Sequence, residues 1–230
     1  MYEVIVLKEG YNHPETQGTT RAGATVTLLK GPSNIIVDTG SPWDKDVVLK
    51  GLAGHNLKPE DIQYVVCSHG HSDHVGNLNL FTQALFVVGY DICRGDQYLL
   101  HDFKEGIPYE IDEDVEVWPT PGHTGNDVSV VVKNTNLGTV AVVGDLFECE
   151  ADLDCPSLWQ DHSENPYLQE KCRINILREA DYIVPGHGAM FHVPKESKKQ
   201  LRVVMLSEEF FSCGETVSAT KSECIIVETD

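Results

Sequence analysis

The stretch SHGHSDHVGN, residues 68–77, sets His69, His71, Asp73 and His74 within six positions. On a strand, His69, His71 and Asp73 would share one face and His74 would point the other way, because side chains alternate with a period of two. No single regular element gathers all four, so the segment reads as a loop. The run before it, IQYVVC (62–67), is apolar and β-rich, and the loop therefore leaves the end of a strand buried on at least one face. The carboxyl end of a strand is where α/β sheets usually hold their ligands.

Working outward, YEVIVL (2–7), ATVTLLKG (24–31) and NIIVDTG (34–40) read as strands separated by turn residues, and PWDKDVVLKGLAGHN (42–56) as a helix with Pro42 early and Gly54 near its end. Downstream, ALFVVG, VEVWPT, DVSVVVKN and GTVAVVGD are strand-like, the last two forming a hairpin that turns at 134–137. A helix is expected over 166–180 and a short strand at YIVP (182–185). Past 195, residues 198–211 read as a helix and ECIIVE (223–228) as a strand, with a mobile extension as the alternative.

Three of these runs end alike. WPTPGHTG delivers His123, VAVVGDLF delivers Asp145 and YIVPGHGA delivers His187, each beside a glycine. Glycine lets a backbone turn sharply and approach a metal closely. With the opening segment the chain offers seven ligand-type residues: His69, His71, Asp73, His74, His123, Asp145 and His187. Imidazole and carboxylate together suit divalent zinc, iron or manganese.

Composition bounds the rest. The 230 residues, 41% apolar, suffice for one α/β domain, expected over 1–194, with an acidic C-terminal extension over 195–230. The formal net charge is −19, with acid concentrated in EIDEDVE (110–116), ECEADLD (148–154) and the tail, taken as surface. Such a surface repels phosphate backbones. The 17 Lys and Arg show no cluster beyond Lys195, Lys198, Lys199 and Arg202. Seven scattered cysteines without a C-x-x-C pair fit a reducing, cytoplasmic setting. No apolar run reaches the roughly 18 residues of a membrane span, so no membrane partner is expected.

The segment SHGHSDHVGN, followed in order by PGH (121–123), GD (144–145) and GHG (186–188) and preceded by VDTG (37–40), resembles the metallo-β-lactamase superfamily. The resemblance implies an α/β fold of four layers, an αββα sandwich in which two mixed β-sheets carry helices on both outer faces and two metal ions at one edge. It implies His69, His71 and His123 on one ion, Asp73, His74 and His187 on the other, and Asp145 bridging them, with zinc as the first choice of metal. Asp38 is implied to accept hydrogen bonds from the motif loop. Aspartate stands at 145, where the true β-lactamases use cysteine, which argues against antibiotic hydrolysis. The implied nucleophile is a metal-bridging hydroxide oriented by Asp73, so Asp73 and Asp145 are the expected catalytic carboxylates.

A finer match rests on CSHGHSDHVGNLNLF, VEVWPTPGHTGNDVSVVV, LGTVAVVGDLFE and WQDHSENP. These resemble a compact animal branch described as zinc-dependent endoribonucleases of histone pre-mRNA 3′-end processing, dimeric, in cytosol and nucleus. RNA and a second copy of the chain are the partners so implied. Two alternatives stand beside it: a glyoxalase II-like hydrolase of a small acyl thioester, and a catalytically silent, metal-stabilised binding or signalling module. Cys67 reads as packing, His55 as the end of a helix, and His13, His101, His162 and His192 as surface or loop residues, His192 being the one placed at a pocket rim. Tyr11, Trp159 and Phe191 read as core, with pocket walls as the alternative.

Overall fold

Residues Val128–Val132 are buried at every position, which requires a sheet covered on both faces. Val130 and Val132 point into one apolar core and Val131 into another. The computed structural model, which describes residues 1–194, supplies both coverings. In chain order the strands and helices are β1 (Glu3–Lys8), β2 (Tyr11–Pro14), β3 (Thr20–Gly23), β4 (Val26–Lys30), β5 (Ile35–Val37), α1 (Lys45–Gly54), β6 (Tyr64–Cys67), β7 (Leu85–Val88), β8 (Asp91–Arg94) and β9 (Gln97–Leu99). They continue with β10 (Tyr109–Asp112), β11 (Val115–Pro119), β12 (Val128–Thr135), β13 (Gly138–Gly144), α2 (Ser157–Gln160), α3 (Pro166–Glu179), β14 (Tyr182–Pro185) and β15 (Phe191–His192).

One mixed sheet runs β1-β4-β5-β6-β7-β8-β9 and the other β10-β11-β12-β13-β14-β15. Between them Leu29, Val37, Val66, Val87, Val117, Val130, Val142 and Val184 form the central core. On the outer face of the first sheet, Val48 and Leu52 of α1, four residues apart on one helical face, pack on Val26, Leu28, Ile36 and Val65. Each is fully buried, an effect of about 1.5–3 kcal/mol per side chain. On the outer face of the second sheet, Cys172 and Ile176 of α3 pack on Val131, Ala141 and Ile183. The layers are therefore αββα.

Strand direction places the site. β5, β6 and β7 are parallel. β11 is antiparallel to β12 and β12 to β13, so β11 and β13 run the same way, and β13 is parallel to β14. The carboxyl ends of β11, β13 and β14 thus share one edge of their sheet, and those of β5 and β6 one edge of theirs.

The β12–β13 hairpin turns where the sequence places it, with Asn134 and Gly138 at φ of 54° and 87°. The short hairpin β2–β3 stands outside both sheets and has no counterpart in the sequence reading, nor do β8 and β9. The helix and strand expected beyond residue 195, and the basic residues Lys195, Lys198, Lys199 and Arg202, lie outside the described residues. Among the described residues no helix is long and apolar enough to cross a membrane.

Candidate metal centre

Five strand ends converge. β6 opens into the 68–77 loop, β5 into Asp38, β11 into the turn bearing His123, β13 into Asp145 and β14 into His187. The structure brings all seven ligand-type residues together. One group is His69, His71, His123 and Asp145, a second is Asp73, His74 and His187, and within each group the donor atoms lie within 4.8 Å of one another.

Asp145 stands between them. Its Oδ2 is 3.7 Å from His69 Nε2, 3.3 Å from His123 Nε2 and 3.3 Å from His187 Nε2, while Oδ1 is 3.2 Å from His74 Nε2. His71 completes the first group, its Nδ1 lying 2.7 Å from His69 Nε2 and 3.2 Å from His123 Nε2. Asp73 Oδ2 reaches to 4.0 Å from His74 and 3.9 Å from His187. Asp145 and four of the histidines are buried, whereas His71 is exposed and Asp73 half-buried, so the centre opens on the motif-loop side.

The surrounding residues set which nitrogen faces inward. Asp38, at φ 57°, accepts from Ser68 N at 2.7 Å and Ser68 Oγ at 3.0 Å, and its Oδ2 lies 2.8 Å from His74 Nδ1. That leaves His74 Nε2 for the centre. His187 Nδ1 lies 3.3 Å from the Gly23 carbonyl, which likewise leaves its Nε2 inward. Thr25 N and Oγ1 both donate to the Gly186 carbonyl, at 2.7 and 3.0 Å, fixing the GHG turn against the start of β4. A Cβ at Gly186 would collide with Asp145 Oδ1, so the turn requires glycine. From behind, Gln169 Nε2 of α3 donates to the Asp145 carbonyl at 2.9 Å.

The residues fit divalent cations. His74 Nε2 and Asp145 Oδ1 are buried, face each other at 3.2 Å and make no hydrogen bond. Leaving such atoms unpaired costs about 1–3 kcal/mol each, and a cation relieves both. Metal-ligating histidines characteristically hand their other nitrogen to a carboxylate or carbonyl, as His74 and His187 do. Charge follows the same logic: burial opposes protonation of His74 and His187, yet Asp145 outweighs it, raising His74 well above its ordinary value and His187 to about 9. Burial instead lowers His69 and His123. Burial also works against the Asp145 anion, but His74 and His187 hold its carboxyl well below the usual range. The Asp145 carboxylate thus favours positive charge where cations would sit.

A buried carboxylate-rich edge holding two adjacent sets of imidazole nitrogens defines a metal-dependent hydrolase. The chain belongs to the metallo-β-lactamase superfamily, whose family model matches residues 19–187. It is 48% identical over 199 residues to metallo-β-lactamase domain-containing protein 1 of Xenopus laevis, covering 86% of this chain and 84% of that one. Among solved structures it resembles a metallo-β-lactamase fold protein of Thermotoga maritima, with a TM-score of 0.60 and 22% identity over 83% of this chain and 99% of that one. It also resembles a dizinc quorum-quenching lactonase, with a TM-score of 0.53 and 17% identity over 74% and 73% of the two chains.

Several residues lie elsewhere than their sequence suggests. Glu148 and Asp152, counted with the acidic surface, are buried. Glu148 Oε2 is 4.0 Å from His187 Nε2, and Glu148, Asp145 and His187 form a third group able to hold a cation. Burial, reinforced by Asp145, pushes the Glu148 carboxyl up to about 8. Asp152 accepts from Glu148 N at 2.7 Å and pairs with Arg173 at 2.8 Å, and the Arg173 guanidinium stacks on Phe147 and Trp159. Asp127 caps the His123 turn, accepting from Gly122 N and Thr124 N. The spacing G-D-L-F-E, one turn after Asp145, is the only signal that could have marked Glu148.

His162 lines a cavity beside His187, whereas His192 lies exposed in β15 against Tyr182 and does not line it. His101 packs on Phe103 and Tyr109, and Tyr11 stacks on His13. Trp159 and Phe191 are core residues, as is Cys67, whose thiol burial pushes up.

Proposed function

We propose that this chain is a dinuclear metal-dependent hydrolase that cleaves RNA phosphodiesters. The observation that carries the hydrolase reading is the Asp145 carboxylate, set between two groups of ligand-type residues and within 3.2–3.7 Å of four histidines. His69, His71 and His123 would hold one divalent ion, Asp73, His74 and His187 the other, with Asp145 shared. Such a pair supplies an activated water near neutral pH and polarises the electrophilic oxygen of the bond to be cut. Zinc fits this donor set, and the dizinc lactonase named above has the same fold.

The chain's own residues do the rest. Asp38 and the Gly23 carbonyl orient His74 and His187. Asp73, half-buried at the mouth, would hold a proton taken from the attacking water and pass it to the departing oxygen. The RNA reading is supported by the motif resemblance to a branch of endoribonucleases and by an open His71–Asp73 side, where a single phosphodiester can approach.

A second reading, a hydrolase of small acyl thioesters or esters, is favoured by one specific feature. The cavity beside His187 is lined by no lysine or arginine, as suits an uncharged acyl substrate rather than a polyanion. The test is to present zinc-loaded protein, in one buffer, with single-stranded RNA, acyl-glutathione and acyl-CoA thioesters, and an acyl lactone. RNA cleavage that disappears in Asp145→Ala supports the first reading. Thioester or lactone turnover with intact RNA supports the second. No turnover of any substrate by fully loaded protein points to a silent binding module and contradicts both.

A further inference from the structure

Four of the five ligand-type histidines are buried, and three of these four hand their outward nitrogen to a neighbour. His69 Nδ1 lies 3.1 Å from Ser68 Oγ, His74 Nδ1 2.8 Å from Asp38 Oδ2 and His187 Nδ1 3.3 Å from the Gly23 carbonyl. His123 is the exception. Its Nε2 faces the centre, 3.3 Å from Asp145 Oδ2, while its Nδ1 is buried and makes no hydrogen bond.

An acceptor stands without a donor in the same neighbourhood. Gln169 of α3 is fully buried, and its Nε2 donates to the carbonyls of Asp145 and Leu146 at 2.9 and 3.3 Å. Two carbonyls around that nitrogen fix the orientation of the amide, so its other atom is the acceptor Oε1, which is buried and makes no hydrogen bond. The fold links the two residues at both ends. The Gln169 backbone presses on the residue before His123, since a Cβ at Gly122 would lie 2.4 Å from Gln169 N, Cα and Cβ. The Gln169 amide and the His123 ring then both reach Asp145, one at its carbonyl and the other at its carboxylate. Among the described residues, the other unpaired buried donors outside the centre are remote. Thr27 Oγ1 belongs to β4 of the other sheet, and Arg178 Nε stands nine residues along α3, about 13 Å at the helical rise.

We propose that Gln169 is a positioning residue of the metal centre: its Oε1 takes the Nδ1 proton of His123 across one buried water, while its Nε2 holds the strand end that carries Asp145. The proposal rests on the two-metal reading and holds for any substrate. One water between a buried donor and a buried acceptor satisfies both, and a ligating histidine whose other nitrogen is held keeps one tautomer and one ring orientation. The start of α3 is anchored to the same turn. Asn165 N and Ser163 Oγ donate to the Gly122 carbonyl, each at 2.9 Å, and Glu164 N to the His123 carbonyl at 3.1 Å. The helix is thus a strut between the ends of β11 and β13, and Gln169 is where it meets the shared ligand.

The test uses full-length, zinc-loaded protein carrying isotope-labelled histidine, with zinc counted on the same sample and the ring nitrogens read by NMR. In the parent, His123 is expected to carry its proton on Nδ1 and to exchange it with water far more slowly than exposed His71. Gln169→Met keeps the length of the side chain and removes both of its hydrogen-bonding groups. It should speed exchange of the His123 proton about tenfold, the scale of one hydrogen bond, and leave the His74 proton held by Asp38 unchanged. Zinc affinity, read by chelator competition, should fall about 10–100-fold. A side chain that serves packing alone would leave the His123 proton as it is in the parent, and that result overturns the proposal. A parent with two zinc ions whose His123 proton sits on Nε2, or exchanges as fast as that of His71, overturns it without any variant, so the test survives a Gln169→Met chain that does not fold. Fewer than two zinc ions in the loaded parent overturns the two-metal reading itself, and the proposal with it.

Discussion

His74 Nδ1 stands 2.8 Å from Asp38 Oδ2, while its Nε2 stands 3.2 Å from Asp145 Oδ1. One ring is thus held by a carboxylate on the protein side and presented to another on the centre side. Asp38→Asn keeps an acceptor for Ser68 N but turns an amide N–H₂ toward His74 Nδ1, which favours the wrong tautomer. Metal affinity should fall about 10–100-fold, read by competition with a chelator of known affinity. An unchanged affinity would show that Asp38 does not orient the ring.

The Asp152–Arg173 pair lies behind the same turn, with side chains 0% and 5% exposed. Asp152→Ala leaves the buried guanidinium with only the exposed Glu170 carboxylate, 3.9 Å from its Nε, as counter-charge and frees the Glu148 N–H. Unfolding in urea should show a loss of about 3–5 kcal/mol. Removing both charges together, as Asp152→Ala with Arg173→Met, should cost less than the single change, because no buried charge is then left unpaired. A single variant as stable as the parent would count against a structural role for the pair.

Acidity links folding and metal binding. Burial opposes the charge on His187, but Asp145 raises its value from 6.5 to about 9, and His74 is raised in the same direction. A group raised on folding stabilises the metal-free protein fully below its unfolded value, and that contribution is lost as pH rises through the folded value. Metal-free protein should therefore lose thermal stability between about pH 6.5 and 9. Cations must displace the two protons, so the increase in Tm on adding zinc should grow over the same interval, with proton release measurable by calorimetry in buffers of different ionisation enthalpy. A zinc effect that is flat from pH 6.5 to 9 would contradict the protonated pair.

The parts of the architecture that repeat a local rule were legible in the sequence. Valine runs such as Val128–Val132 announce a sheet buried on both faces, and glycine-flanked histidines and aspartate announce strand ends that must turn tightly. Glu148 and Asp152 were not legible, because an acidic run such as ECEADLD looks solvated until Arg173 arrives from α3 to pair with it. The β2–β3 hairpin carries His13, Pro14 and Gly18 among polar residues, and its four-residue strands give too short an alternation to stand out. His162 looks like any loop histidine, since only the packing of three distant segments makes the cavity it lines.

The central claim is that Asp145 joins two metal sites. Counting zinc, iron and manganese per chain in freshly purified protein, for the parent and for Asp145→Ala, tests it most directly. The account predicts about two ions per chain in the parent, consistent with its two adjacent ligand groups, and a clear loss in the variant with the fold retained. One ion or none in the parent after metal loading, or two retained in Asp145→Ala, would contradict it.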